Sequence, residues 1–362
     1  MDSARQTDRP WWSGRRIVTI GGGSGPFGVL SSLKRYPCSI TAIVTMADSG
    51  GSSRRLMDEF GQLPVGDLRQ ALVALSRKGV LWRDVFTFRF RQGQGMRAGE
   101  EGANGSAKRK STKAERVAAQ AGVGGHSLGN LIIAALQDIN DGNLLVAIQD
   151  AQELLDTAGD VLPVTLDHTT LCARLENGDE ICGETEIDTR GVDHPGPLSP
   201  IRQLFLREPA TACQQAVRAI RRADTIIIGP GDLYTSILPN LLVQGITDAI
   251  LASDAEKIYV CNLMTKHGET DSFTASRFVS EVQHYLGGRV DRVILHDGVF
   301  PDHILSAYGR ERQYPVEPDA AAVRELVPHV EVDHLLTIAQ DHLVRHDAER
   351  LVRAAFTPRL DG

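Results

Sequence analysis

An apolar run that empties into a cluster of small residues limits what this chain can fold into more than any other feature. Ile17-Val18-Thr19-Ile20 leads into Gly21-Gly22-Gly23-Ser24-Gly25, and a helix-compatible segment starts at Pro26. This is the order of a buried strand, a tight loop and a helix N-terminus. Such a loop bares backbone N–H groups, and the helix dipole adds positive potential at the same place. The combination suits a phosphate.

The alternation continues along the chain. Apolar runs predict strands at 16–20, 40–46, 225–228, 257–261 and 292–295. Helical spacing predicts helices at 25–35, 131–136, 144–155, 209–222, 236–251 and 274–286. The run at 40–46 is apolar almost throughout, which suits a parallel strand covered on both faces. The expected class is α/β: a Rossmann-like, mostly parallel sheet with helices on both faces. Residues 161–184 switch to a β pattern, and Asn177-Gly178 reads as a type I′ turn, so a small β-hairpin lobe is expected there. Residues 189–199 read as a loop.

Three further segments complete the organisation: a disordered tail at 1–14, a flexible basic insertion at 93–124 around Lys108-Arg109-Lys110, and a C-terminal extension at 313–362 packed on the main domain of 15–312.

With 362 residues, 42% of them hydrophobic, the chain can bury a large core. Its net charge of −7 gives no basic field, so nucleic acid is not an expected partner. The N-terminus lacks a signal-peptide h-region, and no apolar stretch reaches the roughly 18 residues of a membrane span. A cytoplasmic protein without membrane insertion is expected. The five cysteines form no C-x-x-C pair and are expected as free thiols in a reducing compartment. His168, His296 and His303 show no metal-ligand spacing.

Several loops could carry chemistry. Gly23-x-Gly25-x-x-Gly28 fits the dinucleotide fingerprint, with Asp48 near the ribose-binding position, which keeps an NAD-dependent oxidoreductase as an alternative. Pro26 and the extra glycines upstream depart from that pattern. The loop Asp48-Ser49-Gly50-Gly51-Ser52-Ser53, followed by Arg54-Arg55, offers a carboxylate, hydroxyls and N–H groups for phosphate oxygens. Asp48 is also the candidate for a phosphate-bound Mg²⁺ and the one candidate catalytic group. Asp67 reads as a helix N-cap beside these loops.

Gly125-His126-Ser127-Leu128-Gly129-Asn130 matches G-x-S-x-G, but no strand precedes it, so a Ser127 hydrolase is disfavoured. A helix N-terminus with His126, Ser127 and Asn130 as polar ligand contacts fits better. Gly229-Pro230-Gly231-Asp232-Leu233-Tyr234-Thr235-Ser236 repeats the strand-loop-helix architecture in the second half of the sheet. Loops at the carboxyl ends of parallel strands are where ligands bind in such folds. Asn262, just past the next strand, could add an amide contact.

Taken together, these strings resemble the YvcK-type gluconeogenesis factors of the CofD-like superfamily. The resemblance rests on the glycine loop, on residues 40–53, on Leu63-Pro64-Val65-Gly66-Asp67-Leu68-Arg69, on the loops at 125 and 229, and on Gly268-Glu269-Thr270-Asp271 with Thr274-Ala275-Ser276. It spans about 16–309. It implies a Rossmann-like protein that binds a nucleotide-sugar, UDP-N-acetylglucosamine, and supports cell shape and wall synthesis during gluconeogenesis. It brings no settled reaction, so binding is favoured over turnover; a homo-oligomer stays open. The related CofD branch implies an alternative, a Mg²⁺-dependent transfer of a phospholactyl-type group onto a deazaflavin precursor.

The ligand residues implied are those of the glycine loop, the 48–53 loop, Asp67, His126, Ser127, Asn130, the loop from Gly229 to Thr235, Asn262 and Phe273. Four positions depart from the family pattern. Ser49 stands where a second acid is usual, Asp232 where Ser is common, Phe273 where Tyr is frequent, and Phe278 where His is usual. An acid at 232 repels a nearby phosphate unless it is protonated or bridged.

Overall fold

In the computed structural model, the described residues are 12–47, 63–90, 125–194, 196–339 and 343–356. The expected 48–53 loop and the expected 93–124 insertion lie outside them.

The first half comprises β1 (Arg16–Gly21), α1 (Gly25–Leu33), β2 (Ser39–Val44), α2 (Gly66–Leu75), α3 (Val80–Thr87), α4 (Leu128–Ile139), α5 (Leu144–Leu155) and β3 (Asp160–Pro163). An antiparallel insert follows: β4 (Leu171–Leu175), β5 (Glu180–Cys182), the short α6 (Glu184–Asp188) and β6 (Ile201–Leu206). The second half runs α7 (Gln214–Arg222), β7 (Thr225–Ile228), a π turn (Leu233–Ile237), α8 (Leu238–Leu241), α9 (Ile246–Leu251) and β8 (Glu256–Val260). It continues with α10 (Ala275–Leu286), β9 (Arg292–His296), α11 (Asp302–Arg310), α12 (Ala320–Leu326), β10 (His329–Asp333), β11 (Leu336–Ile338), β12 (Val344–His346) and α13 (Ala348–Ala355).

Seven of these strands form one sheet in the order β10-β9-β8-β7-β1-β2-β3, and every neighbouring pair is parallel. β1 is buried from Ile17 to Gly21, and β7 and β9 are buried throughout. Runs without alternation are what a strand covered on both faces requires. From β1 the chain winds one way to β3, and from β7 the other way to β10. Right-handed crossovers in opposite directions put their helices on opposite faces of the sheet. The expected Rossmann-like α/β architecture is therefore the observed one.

Some local expectations differ from what forms. The strand at 160–163 pairs with β2 in the main sheet rather than with the hairpin, whose third strand is β6, just past the expected loop. The turn at Asn177-Gly178 is not type I′. Gly178 alone is in the left-handed region (φ 93°), and its N–H donates to the Leu175 carbonyl, a type I turn closed by a glycine bulge. The expected helix 236–251 is broken into a π turn, α8 and α9. Pro239 has no N–H to continue the ladder, and Gly245 reverses φ to 92°.

Cys172 and Cys182 are joined in a disulfide, which corrects the expectation of five free thiols; Cys38, Cys213 and Cys261 are free. The two stand directly opposite on β4 and β5. A spacing rule built on C-x-x-C does not see partners that a hairpin brings together.

The first and last described segments pack on the body. β10 forms the sheet edge beside β9, and α13 packs on α1. Trp12 stacks on Phe356 at 5.6 Å and meets Tyr36 edge-on. No helix among the described residues is long and apolar enough to cross a membrane.

Candidate functional site

The strand order reverses between β1 and β7, and a crevice opens there at the strands' carboxyl ends. β1 delivers the glycine loop and β7 delivers Gly229, a cis peptide to Pro230, Gly231 and Asp232. The strands hold the two loops in register: the Gly229 N–H donates to the Ile20 carbonyl at 2.9 Å, and Thr45 N–H to Gly21 at 3.0 Å.

The loops touch. A Cβ at Gly25 would lie 2.2 Å from the Pro230 carbonyl oxygen, and one at Gly22 2.3 Å from the Thr45 methyl and 2.6 Å from Asp67 Oδ2. These two glycines are demanded by close approach, and Gly23 by its left-handed φ of 63°. Pro26 sits in the first turn of α1, where its missing N–H costs nothing.

A cavity of about 620 Å³ lies over this junction. Of the expected residues, Gly22, Gly23, Ser24, Gly25, Pro230, Gly231, Asp232 and Asn262 line it. Asn262 also braces the wall, its Nδ2 donating to the Gly231 carbonyl at 2.9 Å. Asp232 does not face a phosphate bare, because Lys266 Nζ lies 2.8 Å from its Oδ2.

Lys266 is the hub of a charged cluster. Besides Asp232 it pairs with Asp188 and, at 2.9 Å, with Glu269. Burial opposes its charge, but the three carboxylates outweigh that and raise its pKa. Glu269 is nearly inaccessible (1% of its side chain exposed), and burial pushes its carboxyl up to about 8 although Lys266 pulls the other way. A second cavity, of about 420 Å³, adjoins the first at Lys266 and Gln313 and is otherwise lined by residues such as His194, His267 and Arg310.

Other expected residues stand elsewhere. Asp67 lies inside the first turn of α2, beneath Gly22, not at the N-cap, which is Val65. His126, Ser127 and Asn130 are buried at the start of α4 and are not among the residues that line the cavity. Ser127 Oγ donates to the Phe86 carbonyl, and Asn130 Oδ1 accepts from Arg69 Nε at 2.9 Å, so these groups lock α4 onto α2 and α3. Tyr234 is buried and donates to Glu281 at 3.2 Å, and its phenol pKa is raised, by burial first and the Glu281 charge second. Thr235 reaches Asp188 at 3.5 Å. Phe273 packs edge-on against Tyr234 and Phe278. Asp48, Gly50, Gly51, Ser52 and Ser53 lie outside the described residues.

No group of three or more His, Cys, Asp and Glu side chains among the described residues suits a metal ion. Asp188, Asp232 and Glu269 do converge, but on an ammonium group. Asp48, the expected Mg²⁺ ligand, lies outside the described residues.

The sequence reading missed Lys266, Tyr308, Gln313, Arg345 and His346, all of which line the cavity. Lys266 was within reach of the rule that placed Asn262, since both follow the carboxyl end of β8. Arg345 and His346 carry no local signal: β12 is three residues long and lacks a small-residue loop.

Comparison with known proteins finds relatives over most of the chain. The family described as 2-phospho-L-lactate transferase CofD matches residues 17–336. The chain is 36% identical to a gluconeogenesis factor of Halalkalibacterium halodurans, covering 94% of this chain and 95% of that protein. It is 36% identical to the gluconeogenesis factor of Bacillus subtilis (93% and 95%) and 38% identical to a putative gluconeogenesis factor of a Nostoc species (95% and 69%). A crystal structure of a Bacillus halodurans protein superposes with a TM-score of 0.82 at 36% identity, over 95% of this chain and all of that one. With a glycine-walled crevice at the switch point and relatives that share more than a third of their residues with it over most of its length, the chain belongs to the gluconeogenesis factor family of CofD-like proteins.

Proposed function

We propose that the chain is a binding and regulatory protein for a nucleotide-sugar of the UDP-N-acetylglucosamine kind, acting in the control of cell shape and wall synthesis. The observation that carries the reading is the pair of apposed glycine loops at the β1/β7 switch point. Their backbone N–H groups and the N-terminus of α1 suit a diphosphate. The Lys266 ion pair offsets part of the Asp232 charge beside that diphosphate, while it also serves Asp188 and Glu269. The crevice extends from the loops to Asn262, Tyr308 and His346, which leaves room for a base or sugar. Isothermal titration with UDP-N-acetylglucosamine is the test. Saturable heat supports the reading, and none from a folded sample overturns it.

A second reading is a phospholactyl-type transferase, favoured by the family description that matches most of the chain. Its test is incubation with a nucleotide diphospho-donor, Mg²⁺ and a deazaflavin acceptor. Product formation that Asp48→Asn abolishes would establish turnover; no product from a ligand-binding sample would leave the regulatory role.

A further inference from the structure

We infer that His346 is a specificity-determining residue of the crevice, a neutral imidazole whose Nδ1 accepts a hydrogen bond from an amide-type N–H on the uncharged part of the ligand. The inference rests on the nucleotide-sugar reading above.

The tautomer follows from geometry. His346 Nε2 lies 3.0 Å from the Cys261 carbonyl oxygen. A carbonyl can only accept, so Nε2 carries a proton. In a neutral ring the other nitrogen is then a bare lone pair. The ring is held neutral by its surroundings, since burial, aided by His296 and opposed by the bond to Cys261, pushes it down to about 4. The Nε2 contact is the hydrogen bond of this ring among the described residues, and the ring, half-buried, lines the cavity.

The position is held by its neighbours. The Val344 N–H donates to the Tyr308 hydroxyl at 2.7 Å, and the Asp347 N–H to the Leu335 carbonyl at 2.6 Å. β12 pairs with β11 so that His346 stands opposite Leu336. The ring therefore reaches the crevice already set, and ligand need not order it.

The chemistry of the rest of the crevice selects the partner. The N–H groups of the two glycine loops make the opposite walls rich in donors, whereas the Lys266 ammonium is taken up by Asp188, Asp232 and Glu269. Phosphate oxygens belong there, and an uncharged lone pair at His346 would repel them. Hydroxyls can also be served by those donors. An amide or imide N–H is a donor only, and none of the loop N–H groups can satisfy it. A nucleobase imide and an acetamido group both present such an N–H.

Calorimetry compares UDP-N-acetylglucosamine, its N3-methyluridine analogue and UDP-glucose on wild type and His346→Phe. The expected loss for His346→Phe with the parent ligand is roughly tenfold, the worth of one well-placed hydrogen bond. The analogue that lacks the partnered N–H binds wild type and variant alike, which identifies base or sugar. Because the variant also loses the bond to Cys261, ¹⁵N spectra of wild-type His346 supply a second readout. Nδ1 is expected to resonate as a bare nitrogen and to shift when the parent ligand binds. Equal affinity of variant and wild type, a tenfold loss that persists with both analogues, or an unmoved Nδ1 resonance overturns the inference and leaves the ligand reading standing. Absence of binding to wild type overturns the ligand reading itself.

Discussion

At the scale of single residues, the crevice depends on atoms that are missing. The Gly25 Cα faces the Pro230–Gly231 backbone so closely that a methyl group would sit 2.2 Å from one atom and 2.8 Å from another. Both obstacles are backbone, so no rotamer can relieve them. Gly25→Ala is expected to destabilise the fold by about 1–3 kcal/mol, as overpacking does, and to push the two loops apart. Gly28 is the contrast. It lies within α1, and an added Cβ would meet Ala348 at an ordinary 3.4 Å. Gly28→Ala should be neutral or stabilise by up to about 1 kcal/mol through helix propensity. Urea unfolding of the two variants checks the pair; equal midpoints would mean that the loops are not apposed.

Glu269 gives a second residue-scale expectation. Burial raises its carboxyl to about 8 in the fold, whereas the unfolded chain releases that proton in the ordinary carboxylate range. Between those two values the folded state holds more protons, so stability from this group declines as pH rises and levels off above about 8. Glu269→Gln has no proton to lose. Its unfolding midpoint should fall less than that of wild type over this window, while Lys266 keeps Asp188 and Asp232 as partners. Parallel pH profiles would show that Glu269 is ionised throughout.

At the scale of elements, the second half of the sheet is pinned by one mostly buried ion pair. Arg292 on β9 reaches Glu256 on β8 at 2.9 Å, and its guanidinium also donates to the Ala354 carbonyl on α13. Removing the guanidinium takes its charge away from a carboxylate that is only 11% exposed. Arg292→Met should therefore cost about 3–5 kcal/mol, whereas Arg292→Met with Glu256→Leu should recover most of it, because the charge left behind goes too. Thermal unfolding of the single and double variants measures the coupling, and additive losses would argue against it.

The same elements show what a sequence can disclose. β1, β7 and their loops are legible because an apolar run followed by glycines has few other uses, and the helix at 144–155 is bounded as expected. β10 and β12 are not legible. They are short, partly exposed and polar in places, and they become strands by docking on β9 and β11. Tyr234 and Phe273 sit in motifs beside the crevice, yet the Tyr234 ring fills the core and the half-buried Phe273 ring packs against it. A motif gives adjacency along the chain, and the side to which a ring turns is decided by packing.

At the scale of the whole molecule, the two glycine loops come from halves that wind in opposite directions and are joined in the sheet by the β1–β7 ladder. A diphosphate seated between them would bond to both halves at once and would resist their separation. Ligand at about a hundred times its dissociation constant should add about 2.7 kcal/mol to unfolding, seen as a higher melting temperature. The pattern of protection matters more than its size. Amide exchange should slow together in residues 21–25 and 229–232, and also at Val344 and Asp347, whose N–H groups hold the His346 strand in place. Protection confined to one half would mean that the ligand lies on a single loop, and the bridging site at the switch point would have to be abandoned.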